Sequence, residues 1–417
     1  MEEPLESLGV FPEPQAPLGV SSTEFKEHFG EDLSQTLDLD TWRVGEDLAR
    51  AYARIEAEIR DAVAREDTLH GFIRAKVLPR LGAYPGAPPG AGVYRARLGD
   101  LERIHRDLLF SGRVEACDGT RLVHDTLPVT LHQIGISLVS YQGNQGSWGH
   151  RLYRRDLRMA GGDPIAEMTE LLERRDARGG VNQPGRRDTL SDMAGRAIMA
   201  YAERAILLHR STAPWRMGHG SPAPYELITG SGSLDLMIEA TRMIRMLVEN
   251  HKRFIFVASE PRDRLLLTIG QALEPLQFAI VRSLKEMIDK TVDAGRYHTP
   301  VTRDTHWDGV ALTPDAWIRR FRDEVAPQVV VGVYRATRLA GPQVFYAHAD
   351  HFDVAAHIAL ADSILQEHRG FPLLIDLADT VCRGVFGGDT LTGPVSNAYV
   401  EAGAPFRYLS ERKTRGL

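Results

Sequence analysis

Arg113-Val-Glu-Ala-Cys-Asp-Gly-Thr120 says most about the fold of this chain, because it carries a single central carboxylate, Asp118, at the end of an alternating run. Alternation of apolar and polar residues between short glycine-containing segments is typical of a half-buried β-strand. Glycine at position 119 lets the chain turn back without a side-chain clash. The stretch therefore predicts a strand that presents Asp118 at a turn. Taken alone, it also fits a common Asp-Gly hairpin turn of purely structural importance.

The residues that follow predict a mixed α/β core with helices on both faces of a sheet, since strand and helix signals alternate along the chain. Two more strands, near residues 129–141 and 148–157, continue as a meander. A loop rich in glycine and arginine covers residues 160–187, and a helix then runs to about His209. Beyond it, the pattern predicts strands at 225–229, 254–258, 329–334 and 344–347, and helices at 234–250, 265–288, 314–324, 353–368 and 371–383.

Composition and charge restrict the classes to which this protein can belong. Its 417 residues, 43% hydrophobic and 25% charged, suit a globular protein with several domains or one large core. A net charge of −6 argues against a broadly basic DNA-coating protein. Both cysteines, Cys117 and Cys382, lie in apolar runs. We therefore expect buried free thiols in a cytoplasmic protein without a signal peptide, a disulfide framework or a membrane span.

The N-terminal region has a different character. Residues 1–38 are acidic and combine four prolines with few periodic apolar positions, which predicts a mobile acidic tail. Residues 41–81 place apolar side chains at three- and four-residue spacing and so predict an amphipathic helix. A linker rich in proline and glycine and a short helix at 98–109 follow. We expect residues 39–109 to form a helical region that docks a partner.

Glu203 is the second carboxylate that suggests chemistry. It lies on the helix after the meander, on a face shared with Met199 and Ile206. A carboxylate among apolar side chains is costly unless it is paired or binds a cation. One alternative is a salt bridge to a neighbouring arginine such as Arg210. Two carboxylates on a strand end and a facing helix favour a site for Mg²⁺ or Mn²⁺ and cleavage of phosphodiesters.

This arrangement resembles the NurA nuclease family. That family has an RNase H-like core with an Asp-Gly-Ser motif on its first strand, a Glu on the next helix and an Asp-Gly motif on the following strand. Asp118-Gly-Thr120 and Glu203 match the first two motifs. Gly370-Phe-Pro-Leu-Leu-Ile-Asp-Leu-Ala-Asp379 keeps the spacing of the family's C-terminal Gly-Tyr-Pro segment and Ala-His pair. The motifs occur in the family's order over roughly residues 110–410.

The resemblance implies a fold, a cofactor and partners. The fold is an RNase H-like mixed central sheet flanked by helices over residues 110–417, with an N-terminal helical extension. The activity is that of a DNA nuclease dependent on Mn²⁺ or Mg²⁺. Such a nuclease is a homodimer docked on a HerA-type hexameric ATPase, which pumps duplex DNA during end resection or phage defence. Asp118 and Glu203 then hold the metal and, together with Asp379, carry out catalysis.

The third metal ligand is where this sequence departs from the family pattern. That pattern places an Asp at Thr229 or Ser231, and neither side chain replaces a carboxylate. Phe371 stands where the family has Tyr, and residues 258–261 lack its Lys. The missing ligand leaves open a second function, that of a catalytically weakened adaptor subunit of the ATPase complex. The remaining candidates for the third ligand are Glu226, Asp235 and Asp379, of which the last stands at the position of the family's His.

Two other patterns suggest chemistry. His348-Ala-Asp350-His351-Phe-Asp353, with His357 beyond it, has the spacing of mixed nitrogen and oxygen metal ligands. Period two along a strand separates His351 from the other two ligands, and Asp353 is expected to cap the next helix, so we predict structural roles. An unrelated α/β hydrolase needs a nucleophile and a base. The sequence reveals neither, because Ser231 lacks the Gly-x-Ser-x-Gly register.

Overall fold

The computed structural model describes residues 21–42, 47–125, 129–155, 163–174, 190, 193–259, 261, 263–295, 297–298 and 300–403. The chain divides into two compact units, residues 1–69 with 183–186 and residues 70–182 with 187–417. Within the first unit lie helices α1 (Ser22–Phe29), α2 (Leu33–Leu37) and most of α3 (Asp47–Phe72).

Helices α1 and α2 fall in a segment for which the sequence predicts no regular structure. Ser21 and Glu24 form a capping box at the start of α1. The Ser21 hydroxyl accepts a hydrogen bond from the Glu24 N–H at 3.1 Å, and the Glu24 carboxylate accepts one from the Ser21 N–H at 2.9 Å. These bonds satisfy N–H groups that a helix end leaves without partners, which explains a helix with little apolar periodicity. Residues 1–20 lie outside the described residues.

Helix α3 confirms the amphipathic helix predicted within residues 41–81. Its apolar stripe faces water, since each of its main side chains is more than half exposed. Exposed apolar patches of this kind mark interaction surfaces. The side chains of the stripe are Tyr52, Ile55, Ile59 and Val63.

A nine-stranded mixed sheet forms the centre of the second unit. In chain order the strands are β1 (Gly92–Arg95), β2 (Val114–Asp125), β3 (Thr130–Ser140), β4 (Gly143–Arg154), β5 (Trp215–His219), β6 (Phe254–Ala258), β7 (Gln277–Ser283), β8 (His306–Trp307), β9 (Val310–Ala311), β10 (Val329–Arg335) and β11 (Gln343–His348). The large sheet has the order β1-β7-β10-β11-β6-β5-β2-β3-β4, and β8 pairs with β9 separately. Strand β5 runs parallel to β2 and to β6, whereas the other neighbours are antiparallel.

Helices cover both faces of this sheet. Leu207 and Phe256 belong to the core on one face, and Val257 and Ile358 to the core on the other, so successive residues of β6 point to opposite sides. The predicted mixed α/β architecture is confirmed. The remaining helices are α4 (Leu98–Ile104), α5 (Pro164–Arg174), α6 (Ile198–His209), α7 (Tyr225–Ile228), α8 (Leu234–Met246), α9 (Arg264–Ala272), α10 (Leu284–Ala294), α11 (Pro314–Arg320), α12 (Phe352–Ser363), α13 (Leu373–Phe386) and α14 (Gly388–Glu401).

Three predicted elements are wrong. Residues 225–228 form the short helix α7 instead of a strand. The single helix predicted at 265–288 is two helices, α9 and α10, separated by β7, because Pro275 ends the first and the apolar residues of β7 imitate helical spacing. The loop predicted at 160–187 contains α5. In each case a short apolar pattern is compatible with both structures, and tertiary packing decides between them.

Strand β5 has no counterpart in the sequence prediction, although it lies between β2 and β6 and so determines what surrounds Asp118. Cys117 and Cys382 are buried and free, as expected. None of the helices in the described part of the chain is both long and apolar enough to cross a membrane.

Candidate active site

Strand β2 continues beyond Gly119, where the sequence predicts a turn. Its pairing with β3 extends to Asp125 opposite Thr130. On the other side, β2 pairs with β5 only as far as Cys117 opposite Gly218. Asp118 therefore lies beside His219, the last residue of β5. This position is buried, and Asp118 is only 4% exposed.

His219 links Asp118 to the end of the neighbouring strand β6. Oδ1 of Asp118 accepts a hydrogen bond from the Gly119 N–H at 2.8 Å and lies 3.1 Å from Nδ1 of His219. Across the ring, Nε2 of His219 lies 2.7 Å from Oγ of Ser259. Burial opposes a charge on the imidazole, but the hydrogen bond to Asp118 and the charge of that carboxylate outweigh it, so the pKa of His219 is raised. Positive charge is thus favoured next to Asp118.

Glu203 reaches the same place from helix α6. It is 8% exposed, and its Oε1 approaches Gly119 so closely that a Cβ added there would lie 2.6 Å from it. Asp118 thus bonds to the N–H of Gly119, while the carboxylate of Glu203 lies where a side chain at position 119 would be. Glycine is required here because only a residue without a side chain leaves room for Glu203, and not because the chain turns.

Arg204 is the cation that pairs with Glu203. Its Nη1 donates to Oε2 of Glu203 at 2.7 Å, so the predicted salt bridge exists but is made by Arg204 and not by Arg210. Backbone carbonyls hold the rest of the guanidinium, including that of Pro222 at 3.1 Å from Nε. Burial raises the pKa of Glu203, and so does the charge of Asp118, while Arg204 and His219 lower it. One guanidinium therefore does not fully compensate the buried carboxylates.

Asp379 approaches from helix α13 on the opposite face of the sheet. Its Oδ1 accepts a hydrogen bond from Nε of Arg383 at 2.8 Å. Partial burial raises the pKa of Asp379, and the negative charge of Asp118 adds to this effect, which shows that the two carboxylates interact. The charge of Asp118 thus acts on both Glu203 and Asp379, the other two residues that the sequence analysis selected.

Helix α13 is fastened at both ends. At its start, Oδ2 of Asp362 accepts a hydrogen bond from the Leu374 N–H at 2.9 Å. The hydroxyl of Tyr141 donates to Oδ1 of Asp362, whose pKa burial raises to about 6. At the end of α13, the ring of Phe386 occupies the space left by two facing glycines of β3 and β4, Gly135 and Gly149. These contacts fix the helix that carries Asp379.

Two of the candidates for the third metal ligand have other partners. Oε1 of Glu226 lies 3.7 Å from Nη1 of Arg196. Oδ1 of Asp235 accepts hydrogen bonds from the N–H groups of Thr302 and Arg303, each at 2.8 Å. Their carboxylates serve local structure.

The strand that follows α6 is β5, and it ends in His219-Gly220. The strand that follows α6 therefore ends at this pair and not at Thr229 or Ser231, where the sequence analysis placed the family's Asp-Gly motif. Sequence reasoning missed His219 because β5 has only five residues, between Pro214 and Gly220. Alternation in Trp215-Arg-Met-Gly-His219 is the signal that could have found it.

The histidine-rich cluster lies at the opposite end of the strands. His348 ends β11 next to the start of β6, where its ring contacts that of Phe254. Its Nδ1 accepts a hydrogen bond from the Asp350 N–H at 3.0 Å, and Nζ of Lys252 donates to Oδ2 of Asp350 at 3.1 Å. Helix α12 begins at Phe352, so the prediction that Asp353 is its cap is wrong. These bonds account for the cluster as local structure.

The donor set around Asp118 fits Mg²⁺ or Mn²⁺ only in part. Within the described ranges, no group of three or more His, Cys, Asp or Glu side chains is arranged to hold a metal ion. Asp118 and Glu203 nevertheless supply carboxylate oxygens, the donors that these cations prefer. Such cations often take one or two protein carboxylates and complete their shell with water and substrate phosphate. The two residues suit a site of that incomplete kind.

Comparisons with known proteins give only distant likenesses. No family model and no curated protein matches the chain. The NurA nuclease from Sulfolobus solfataricus matches 88% of this chain and 100% of its own at 8% identity and a TM-score of 0.47. A structure of NurA bound to dAMP and manganese covers 76% of this chain and 96% of its own, at 9% identity and a TM-score of 0.38. Endonuclease V of Ciona intestinalis, in complex with a DNA containing inosine, covers 68% of this chain and 97% of its own, at 9% identity and a TM-score of 0.27. Values this low do not place the chain in a family, so its function has to be argued from the site.

Proposed function

We propose that this protein is a nuclease that cleaves the phosphodiester bonds of DNA with the help of Mn²⁺ or Mg²⁺. The observation that supports the proposal is the approach of two buried carboxylates to Gly119: Oδ1 of Asp118 accepts a hydrogen bond from its N–H, and Oε1 of Glu203 lies 2.6 Å from where its Cβ would be. Burying two negative charges near each other is costly, and the pairing of Glu203 with Arg204 does not outweigh the burial that raises its pKa. A bound divalent cation is the natural compensation for such a pair.

Each acidic residue has a role in this proposal. Asp118 and Glu203 hold the cation through their carboxylate oxygens. When bound, the cation polarises a phosphoryl oxygen and lowers the pKa of water. His219 keeps the carboxylate of Asp118 in its orientation through the 3.1 Å contact between Nδ1 and Oδ1. Asp379, whose raised pKa favours retention of a proton, orients water from the other face of the sheet.

The test is cleavage of linear duplex DNA by the full-length protein in Mn²⁺, compared with the variants Asp118→Ala and Asp350→Ala. We expect Asp118→Ala to lose cleavage and Asp350→Ala to keep it, because Asp350 belongs to the local cluster at the far end of the strands. Binding of Mn²⁺, followed by the loss of its free electron paramagnetic resonance signal, should weaken in Asp118→Ala alone. Cleavage that survives Asp118→Ala would refute the proposal.

The partners remain part of the proposal. We infer a homodimer in the cytoplasm that works with a HerA-type hexameric ATPase, in DNA end resection or phage defence, on the strength of the motif order. The exposed apolar stripe of α3 is the proposed docking surface for the ATPase. A stripe of this kind loses its contact with water on binding, which is favourable.

Surface variants test this docking without deleting residues that support the core. Ile55→Asp combined with Ile59→Asp places charges in the stripe, whereas Arg54→Asp combined with Arg60→Asp changes charge on the same helix outside it. We expect the first pair to abolish co-purification with the ATPase and the second to preserve it. Equal binding by both pairs would exclude the stripe as the docking surface.

A second candidate function is the adaptor, a subunit that binds the ATPase without cleaving DNA. The absence of a three-ligand metal group among the residues described favours it. So does the occupation of Oδ1 of Asp118 by His219 and Gly119. An adaptor would bind the ATPase yet leave DNA intact in Mn²⁺ and in Mg²⁺, with the wild type no more active than Asp118→Ala.

A further inference from the structure

Ser259, His219 and Asp118 form a continuous chain of hydrogen bonds, and its outer member, Ser259, has no role in the nuclease proposal. Oγ of Ser259 lies 2.7 Å from Nε2 of His219, and Nδ1 of the same ring lies 3.1 Å from Oδ1 of Asp118. Exposure increases along the chain: Asp118 is buried, the His219 side chain is 32% exposed and Ser259 is exposed. The hydroxyl is therefore the end of the chain that a solute can reach.

Three neighbouring parallel strands bring these residues together. His219 ends β5, next to Asp118 on β2. On the other side, His219 is in register with Val257 of β6, and Ser259 follows two residues later. Residues two apart on an extended chain point to the same side, so Ser259 extends from the face that Val257 occupies. The sheet thus fixes Asp118 and His219 beside each other, and Ser259 follows directly after the last residue of β6.

The acid determines which nitrogen of the imidazole faces the serine as an acceptor. Oδ1 of Asp118 is held by the Gly119 N–H at 2.8 Å and accepts from the Nδ1–H of His219. Nε2 of the neutral ring is then left without a proton and accepts from the hydroxyl of Ser259. Order and distances are those of a serine, histidine and aspartate triad, which is recognised by geometry and not by sequence position.

We propose that Ser259 is a nucleophile that His219 and Asp118 activate for attack on neutral carboxylic esters. Oγ forms a bond to the carbonyl carbon while its proton passes to Nε2. The bond between that carbon and the alkoxide then breaks, and the alkoxide leaves with the proton from Nε2. Water attacks the acyl carbon next, returns a proton through His219 to Ser259 and releases the carboxylic acid.

The charges near Ser259 select a neutral substrate. Asp118, Glu203 and Asp379 repel an anionic phosphodiester unless a cation is present, whereas an uncharged ester meets no such repulsion. This second activity therefore needs no metal. It goes beyond the nuclease proposal, and a chelator separates the two.

A fluorophosphonate probe tests the proposal, because an activated serine displaces fluoride from its phosphorus. The full-length protein is incubated with the probe in excess EDTA at a mildly alkaline pH, and the modified residue is located by peptide mass spectrometry. We expect modification of Ser259 in the wild type and at least a tenfold slower reaction in Ser259→Ala and in His219→Asn. Ser396→Ala is the matched control, since that hydroxyl bonds to the Thr392 carbonyl on α14, and it should react like the wild type.

Three results would overturn the proposal: no modification of Ser259, equal labelling of Ser259→Ala and wild type, or undiminished modification of Ser259 in His219→Asn. Thermal unfolding of each variant shows that it is folded, and Ser259→Ala is expected to fold because the residue is exposed beyond the end of β6. DNA cleavage in Mn²⁺ is measured separately. A wild-type protein that cleaves DNA but is not labelled at Ser259 refutes only the esterase. A wild-type protein that is labelled at Ser259 but does not cleave DNA refutes only the nuclease.

Discussion

Two clusters of histidine and aspartate lie at opposite ends of the central strands, and burial affects their charges differently. Where β5 and β6 end, Asp118 and His219 meet Glu203, whose pKa is raised chiefly because burial penalises its charge. Where the same strands begin, Asp350 is exposed and its pKa is lowered, chiefly by the hydrogen bond from Lys252. In the first cluster burial outweighs the pairing of Glu203 with Arg204, whereas in the second the acid is exposed to water and paired with Lys252.

A motif that is conspicuous in the sequence and a cluster of buried, charged side chains are therefore different signals. The second cluster is contiguous in sequence, and its members bond to one another and to Lys252. The residues of the first cluster come from separate strands and a helix, so no local sequence pattern predicts that they lie together. Buried, incompletely compensated carboxylates persist at the expense of stability, which is why they indicate function better than exposed ones do.

The largest contrast is expected in catalysis. Glu203→Gln keeps the shape of the side chain but removes the charge that we propose binds a cation. We expect its rate of DNA cleavage in Mn²⁺ to fall by roughly a hundredfold or more, since even the partners of metal ligands account for about 10- to 100-fold. Asp353→Asn, at the other cluster, should cleave like the wild type. A rate for Glu203→Gln within about threefold of the wild type would contradict this assignment.

The cations of the two clusters should differ in their contribution to stability. Arg204→Met leaves Glu203 buried without its partner, and we expect the free energy of unfolding to fall by about 3–5 kcal/mol. In Lys252→Met the carboxylate of Asp350 loses its partner but stays hydrated, so the free energy of unfolding should change little. Urea denaturation of both variants measures the difference. Losses of equal size would remove the distinction between the clusters.

The pH dependence of stability should have opposite signs for buried and exposed acids. The folded pKa of Asp362, about 6, lies above the unfolded value of about 4. The contribution of Asp362 to the free energy of unfolding is therefore complete below about pH 4. It is lost as the pH rises through 6, a change of about 2–3 kcal/mol. Asp350 has a lowered pKa, so its contribution is present above about pH 4 and is lost as the pH falls.

Urea denaturation across this range, for the wild type against Asp362→Asn and against Asp350→Asn, measures the two contributions. The difference in unfolding free energy between wild type and Asp362→Asn should decrease as the pH rises. That between wild type and Asp350→Asn should increase. Slopes of the same sign would show that burial does not separate these acids.

A smaller effect is expected from the glycine at the first cluster. In Gly119→Ala the new Cβ would meet Oε1 of Glu203 at 2.6 Å and Cδ1 of Ile136 at 2.8 Å. We expect a loss of about 1–3 kcal/mol in unfolding free energy, because the site has no room to expand. Gly384→Ala on α13 meets nothing within 4 Å and should gain about 0.5–1 kcal/mol. Thermal melts of the two variants should therefore shift in opposite directions.

The sequence singled out Asp118 and Glu203 from the alternation of a strand and the apolar face of a helix, and Asp379 from its resemblance to the C-terminal motif of the NurA family. It did not identify His219, because β5 is five residues long and its pairing with β2 is a tertiary fact. Nor did it identify Ser259. That residue follows a well-predicted strand, but only the folded structure shows that it lies next to the ring of His219. Short strands depend on their neighbours for stability, so local patterns cannot reveal them reliably.

Helix α13 carries Asp379 between two fastenings, Asp362 at its start and the Phe386 ring at its end. A segment held in this way should open as one cooperative unit, so we expect its backbone amides to exchange with deuterium at a common free energy. Opening of that unit withdraws Asp379 but leaves Asp118 and Glu203 in place. The protein thus has a built-in partial state that can be populated by local unfolding, in which one acid is absent and the sheet is intact.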